Sequence, residues 1–263
     1  MRTPLRIENL IKQFNEFDLE RLSQYGDLLS SKLEDEIFPP YIPHVGEKYS
    51  RYRLMLYGTA QSMVKPWPEL THMTRKLKIR QLFDAADFHD IAIAPYKVML
   101  AISGIYLFAQ HQCRLENFAD IHNQIAASNY YKFSFNRKKR DVNPNTALEK
   151  YIDPIEYWAL NDQLSTMELG TLNPATVISF NGRPIRAMRK AGYKVLQIND
   201  PAWVLRGGSG VLQATGSWYR EINDPKVNSL VDSYLEQIDD KYSGKKEALK
   251  IYMLKYYNDW KKG

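Results

Sequence analysis

Short apolar runs that end in turn-forming residues recur along the chain, a pattern typical of buried β-strands. They predict strands at residues 53–57, 124–128, 175–180 and 193–198. Helical spacing of apolar residues predicts helices at 96–110, 146–169 and 184–191, and from Pro225 onward. Strands that alternate with helices imply parallel pairing, with helices on both faces. The predicted fold class is α/β, a three-layer α/β/α arrangement around a central, mostly parallel four-stranded sheet.

The flanks of this region have a different character. Residues 5–37 carry apolar positions at helical spacing and predict two helices, and a proline-rich connector follows at residues 38–43. We therefore expect a single α/β domain over residues 1–263. It has an N-terminal helical extension at 1–43, a core at 53–210 and C-terminal helices at 225–263.

Composition excludes several classes of protein. Hydrophobic residues make up 44% of the 263 residues, enough for a sizeable core, so global disorder is excluded. One cysteine, Cys113, allows neither a disulfide framework nor a cysteine-ligated metal cluster. The histidines lack a zinc-binding spacing, and no apolar run has the length of a membrane span. We expect a cytoplasmic protein with no metal, no cofactor and no membrane partner.

The positive charge is clustered. The formal net charge is +6, and the densest basic stretch is residues 136–140, with further clusters at 75–80 and 183–190. Several of the 18 tyrosines lie near these clusters. Cations beside flat rings suit a nucleic-acid groove, because phosphates attract cations and unstacked bases stack on rings. A tyrosine-rich core under a solvated basic surface explains the composition equally well.

Polar residues follow the predicted strands, where ligands of parallel sheets bind. Gly58 permits a sharp turn and a close approach to a ligand, or is an ordinary turn glycine. Asn129 offers a donor and an acceptor that match the amide edge of a pyrimidine, or it forms a turn. Asp200 can orient water or stabilise positive charge on a sugar, or it forms an Asx-Pro turn. Trp203, Leu205 and Arg206 suit a wedge that enters a DNA groove, although Trp203 equally suits a core.

Taken in order, these segments resemble the uracil-DNA glycosylase superfamily. The similar segments are Leu54-Met55-Leu56-Tyr57-Gly58-Thr59-Ala60-Gln61-Ser62, then 128–133 with Asn136-Arg137, then 172–184, and finally Asn199-Asp200-Pro201-Ala202 with Arg206-Gly207. The resemblance spans about residues 53–210, and it lies in the order and spacing of degenerate motifs. It implies the uracil-DNA-glycosylase-like version of the predicted fold.

The resemblance also implies roles for individual residues. Water and the carbonyl edge of a flipped base would be held by Gly58, Thr59, Ala60, Gln61 and Ser62, and Trp67 would stack on the base. Asn129 would read its Watson–Crick edge, and Asp200 would face the glycosidic bond. Apart from the resemblance, the positive charge of the basic loop, Arg137, Lys138, Lys139 and Arg140, predicts contacts with DNA phosphates.

The sequence departs from the family pattern at two of these positions. Ala60 cannot activate water, and Asp200 stands where a histidine is usual, so a carboxylate would face the departing base. The cysteine ligands of the iron–sulfur branch are absent, and no cluster is expected.

The expected function is that of a monofunctional DNA glycosylase. It would flip a damaged or modified base, a pyrimidine and not necessarily plain uracil, and hydrolyse its N-glycosidic bond to leave an abasic site. We expect DNA as the partner and a monomer in solution. The alternatives are a non-catalytic DNA-binding module on the same fold, and a small-molecule α/β enzyme whose basic clusters are solvated surface.

Overall fold

The computed structural model describes residues 8–9, 43–60, 94–131, 153–180, 182–206, 224–238 and 240–261. In these ranges the strands are β1 (His44–Val45), β2 (Leu54–Ala60), β3 (Ile125–Tyr131), β4 (Thr176–Ser179) and β5 (Val195–Gln197). The helices are α1 (Tyr49–Tyr52), α2 (Ala94–His111), α3 (Phe118–His122), α4 (Pro154–Leu172), α5 (Gly182–Lys190), α6 (Pro201–Arg206), α7 (Pro225–Glu236) and α8 (Lys246–Lys261). The class is α/β, as predicted.

The strands form one mixed sheet in the order β1-β3-β2-β4-β5. The strands β3, β2, β4 and β5 pair in parallel, and they correspond to the predicted strands. β1 adds a fifth, antiparallel strand on β3, which the sequence did not predict. Its two residues are too few to show an alternating pattern.

Helices cover both faces of the sheet. Leu54 and Leu56 belong to a core shared with α2, α7 and α8. Tyr57 points to the opposite face, because successive residues of a strand alternate, and its hydroxyl reaches Ser165 of α4. β2 is therefore held by side-chain contacts on both faces of the sheet.

The central helix α2 is buried over most of its length, which explains its apolar composition. α8 packs along it, with Trp260 edge-on to Tyr106 at a ring-centroid distance of 5.5 Å. No helix within the described ranges is long and apolar enough to cross a membrane.

Two predicted strand ends are corrected. β2 does not turn at Gly58 but continues to Ala60, and β3 continues past Asn129 to Tyr131. The reason is the parallel ladder, in which Gly58 pairs with Asn129 and Ala60 pairs with Tyr131. The predicted N-terminal helices, except residues 8–9, and most of the 38–43 connector lie outside the described residues.

Candidate functional site

The sheet topology gives the first indication of where a ligand would bind. From β2 the chain moves to β3 on one side, and it later returns to β4 on the other side of β2. Ligands of open α/β sheets bind at the carboxyl ends of the strands beside such a reversal. This edge of the sheet carries Gly58, Asn129 and, beyond β5, Asp200.

Gly58 and Asn129 are in direct contact across the β2–β3 pair. The side-chain oxygen Oδ1 of Asn129 occupies the space that a Cβ at position 58 would fill. The close approach predicted at Gly58 was that of a ligand, whereas the group that approaches in the structure is the amide of Asn129, within a strand. Asn129 as a whole is half-buried, so the glycine determines where the amide of a partly exposed residue lies.

Asp200 begins the short helix α6. Its Oδ1 accepts a hydrogen bond from the backbone N–H of Ala202 at 2.8 Å. Its Oδ2 lies 3.8 Å from the Arg206 guanidinium, and the Asp200 side chain is 43% exposed. The Asx-Pro turn considered from the sequence is therefore present, and Oδ2 is the oxygen that remains turned to solvent and Arg206.

The loop before Asp200 is held by the C-terminal helix. The Tyr252 hydroxyl donates to the carbonyl oxygen of Asn199 at 2.7 Å, and the N–H of Asn199 donates to the Tyr256 hydroxyl at 2.7 Å. Burial raises the pKa of Tyr252 well above its usual value and that of Tyr256 to about 12. Both phenols therefore stay neutral, and both peptide groups of this loop residue are fixed.

The large aromatic residues of α8 belong to the core. Tyr252, Tyr256, Tyr257 and Trp260 are all buried, so they pack down on the core instead of forming a DNA-gripping surface. They still bear on the site, because two of them hold the Asn199–Asp200 loop.

Asn129 and Asp200 lie at the same edge of the sheet, but the strands that carry or precede them, β3 and β5, are not neighbours. β3 and β5 are separated by β2 and β4, which places their ends about 14 Å apart at roughly 4.8 Å per strand. A group bound between them would lie over β2 and β4.

The residues of α6 separate into exposed and buried sets. Trp203 is 41% exposed, and the Arg206 side chain is 74% exposed. Leu205 is buried in the core and is unavailable as a wedge. Its burial follows from packing of the short helix against the core, which the sequence alone did not reveal.

Seven residues of the predicted site lie outside the described residues: Gln61, Ser62, Trp67, Arg137, Lys138, Lys139 and Arg140. Thr59 and Ala60 are the last residues of β2, and only their backbone is described.

A buried polar cluster under α4 was not anticipated. The Tyr57 hydroxyl donates to Ser165 Oγ at 2.6 Å and lies 3.3 Å from Glu168 Oε2, and Ser128 donates to the same carboxylate oxygen at 2.8 Å. Burial, and next the charge of Glu168, raise the pKa of Tyr57 well above its usual value. The available signal was the spacing of Ser165 and Glu168, which puts both on one face of a helix.

The described histidines are engaged in packing. His44 and His122 stack with ring centroids 3.5 Å apart, and the Tyr96 hydroxyl lies 2.9 Å from His122 Nδ1. Among the residues that the structure describes, no group of three or more His, Cys, Asp or Glu side chains is arranged to hold a metal ion.

The fold and this edge of the sheet define an α/β protein with polar residues at the carboxyl ends of parallel strands. No protein-family model matches the sequence, and no curated protein matches it significantly. The residues at the strand ends are therefore the features of the described chain that bear on function.

Proposed function

We propose that this protein is a monofunctional DNA glycosylase that flips a modified base, a pyrimidine, and hydrolyses its N-glycosidic bond. The observation that carries the proposal is the placement of Asn129, a half-buried residue whose amide lies against Gly58 near the carboxyl edge of a parallel sheet. An amide in such a place can pair with the amide edge of an extruded pyrimidine through one donor and one acceptor.

The strand arrangement is compatible with the resemblance. We interpret β3, β2, β4 and β5 as the central parallel sheet of a uracil-DNA-glycosylase-like fold, with β1 as an addition at its edge. Gly58, Asn129 and Asp200, which belong to three of the motifs that carry the resemblance, then lie at one edge. This arrangement supports the proposal, because a base bound over β2 would reach residues from several strands.

In the proposed reaction, water attacks the anomeric carbon, and the bond to the base breaks with its electron pair going to the base nitrogen. Asp200 Oδ2 would stabilise the positive charge that develops on the sugar. Its other oxygen caps α6, which fixes the direction of the carboxylate. A proton from the attacking water leaves to solvent or to the departing base.

Trp203 and Arg206 supply the DNA contacts in this proposal. Arg206 would bind a phosphate, and the exposed face of Trp203 would stack against the bases beside the extruded nucleotide. The basic loop, Arg137 to Arg140, would add phosphate contacts.

The test is a base-release assay on single strands and duplexes that carry uracil, or a bulky or hypermodified pyrimidine, followed by alkali. Strand breaks at the modified position are expected. Asn129→Ala and Asp200→Asn should each depress them at least about tenfold, consistent with loss of a group that acts in the transition state.

The chain offers matched controls for both variants. Asn117→Ala removes an amide that caps α3 through Ala119, and Asp232→Asn removes an exposed carboxylate paired with Lys250 at 2.6 Å. Both should leave base release unchanged. Absence of breaks on every substrate would reject the enzyme, and full activity in both site variants would reject the assignment of the residues.

One observation favours a second candidate, a non-catalytic DNA-binding module. Both Asp200 oxygens have partners, Ala202 and Arg206, while Trp203 and Arg206 are exposed side by side on α6. A binding module would bind DNA in a salt-dependent manner and release no base from any of the substrates.

A further inference from the structure

Two adjacent rows of side chains cross β2 and β3, and they face opposite sides of the sheet. Gly58 pairs with Asn129, and one residue earlier Tyr57 pairs with Ser128. Because side chains alternate along a strand, Tyr57 and Ser128 point toward α4 while Asn129 points to the other face. The candidate site and the buried polar cluster are thus the two sides of one strand pair.

One carboxylate joins the two strands on the buried side. Glu168 is fully buried, and its Oε2 is within hydrogen-bond distance of Ser128 Oγ and of the Tyr57 hydroxyl, at 2.8 and 3.3 Å. Ser165, one turn earlier on α4, accepts from Tyr57. β2 and β3 are therefore tied to the same part of α4, one residue before Gly58 and Asn129.

A buried carboxylate is a costly way to hold strands together. Desolvation opposes its charge, and an apolar side chain of similar volume often gives equal or better stability. An apolar side chain, however, cannot accept hydrogen bonds from the hydroxyl groups of Tyr57 and Ser128. It therefore cannot hold these two residues, and the strands that carry them, at defined positions. Glu168 makes these bonds to the strand pair that carries Gly58 and Asn129 on its other side.

We infer that Glu168 is a positioning residue that acts through Ser128 and Tyr57 to set the Asn129 amide against Gly58. It does not touch a substrate, because it is buried on the opposite face of the sheet. The inference rests on the proposed function for its catalytic consequence, but the geometric claim about Asn129 stands or falls independently.

The geometric claim is tested by NMR on the whole chain labelled with ¹⁵N-asparagine. The side-chain amide signals of Asn129 are identified as those lost in Asn129→Ala. Glu168→Gln, Glu168→Leu and Ser128→Ala should each shift or broaden these signals more than the other asparagine signals. If Glu168→Leu does not fold, the Ser128→Ala and Glu168→Gln variants still provide the test.

Two control variants remove buried hydrogen bonds elsewhere. Tyr49→Phe removes a bond from a buried tyrosine to the carbonyl of Leu172, the last residue of α4 and about one turn beyond Glu168, and Ser103→Ala removes a buried hydroxyl of α2. Both should lower stability and leave the Asn129 signals in place. Unchanged signals in every Glu168 and Ser128 variant, or equal changes in the controls, would overturn the inference.

The catalytic consequence is read from a double-mutant cycle in the base-release assay. Glu168→Gln alone should lower kcat by about tenfold with little change in KM, but by less than about twofold in the Asn129→Ala background. Additive losses would mean that Glu168 acts by another route. If no substrate releases a base, the proposed function fails, and the NMR experiment still decides whether Glu168 positions Asn129.

Discussion

The amide oxygen of Asn129 lies where a side chain at position 58 would begin, so Gly58 and Asn129 share one space between neighbouring strands. The two residues are in register in a parallel ladder, and no substitution at 58 can avoid this contact without moving one of them. The glycine thus sets the position of the Asn129 amide.

Gly58→Ala should displace the Asn129 amide and abolish most base release while leaving the fold in place. The new Cβ meets the end of a side chain that can rotate away, so we expect a small loss of stability, about 1 kcal/mol or less. Thermal unfolding and the base-release assay measure the two effects.

Gly170→Ala is the matched control, because a Cβ at that position of α4 meets open space. It should raise stability by up to about 1 kcal/mol without loss of activity. A Gly58→Ala variant with normal activity would contradict the role of this contact.

Removing the hydroxyls that hold the loop before Asp200 should affect the site more than the fold. Tyr252→Phe and Tyr256→Phe each delete one hydrogen bond to Asn199, which costs about 1 kcal/mol of stability. Base release should fall further in the double variant, because Asp200 loses its fixed backbone. Tyr257→Phe is the comparison, since that hydroxyl on the same helix bonds Asp224 instead. Equal activity of all three variants per folded molecule would show that the loop needs no such support.

The surface of α6 should contribute to DNA affinity in two distinguishable ways. Arg206→Ala should weaken binding because a phosphate contact is lost. The slope of the logarithm of the binding constant against the logarithm of the salt concentration should become smaller by about one. Trp203→Ala should weaken binding by about 1–3 kcal/mol through lost stacking, with the salt dependence unchanged. Fluorescence anisotropy of labelled DNA at several salt concentrations measures both. Arg114→Ala, which removes an exposed arginine paired with Glu116, should have neither effect. DNA binding that is insensitive to both α6 variants would place the interface elsewhere.

Asp224 should make stability depend on pH at the acid end. The Tyr257 hydroxyl, then the N–H groups of Val227 and Lys226 and the Lys261 ammonium, hold the pKa of this carboxyl below its usual value. A lowered pKa in the folded state gives stability that is present above the ordinary pKa, about 4, and is lost as pH falls through the lowered value. Asp224→Asn keeps a capping oxygen but loses the charge.

The stability difference between wild type and Asp224→Asn should therefore be present at pH 6 and disappear on acidification below about pH 4. Urea unfolding across this range measures it. Tyr257→Phe should weaken the same pH dependence, because it removes the largest cause of the shift. Parallel pH profiles for wild type and Asp224→Asn would contradict the assignment.

The sequence predicted the parallel strands because each is an apolar run with a clear end, and hydrophobic burial is a strong local signal. It misplaced the ends at Gly58 and Asn129, since glycine and asparagine mark turns locally while pairing between β2 and β3 continues past them. Strand pairing is a tertiary effect that a local pattern does not contain.

The site was predictable to a smaller extent. Asn129 and Asp200 were identified from their position after strands, but the cap that occupies Asp200 Oδ1 and the burial of Leu205 depend on packing of α6. Glu168 was missed because a glutamate in a helix usually faces solvent, and only the sheet beneath it reveals the opposite. The role of the C-terminal tyrosines likewise required contacts that span more than 50 residues of sequence.

Those long-range contacts bear on the order in which the protein assembles during synthesis. By the time β5 has emerged from the ribosome, the five strands that the structure describes are present, yet the hydroxyls that hold Asn199 are still 53 and 57 residues away. Domains begin to fold while translation continues, and contacts between distant residues form late. The sheet can therefore be complete while the loop that carries Asp200 is still unanchored, and that loop gains its final conformation only when α8 docks.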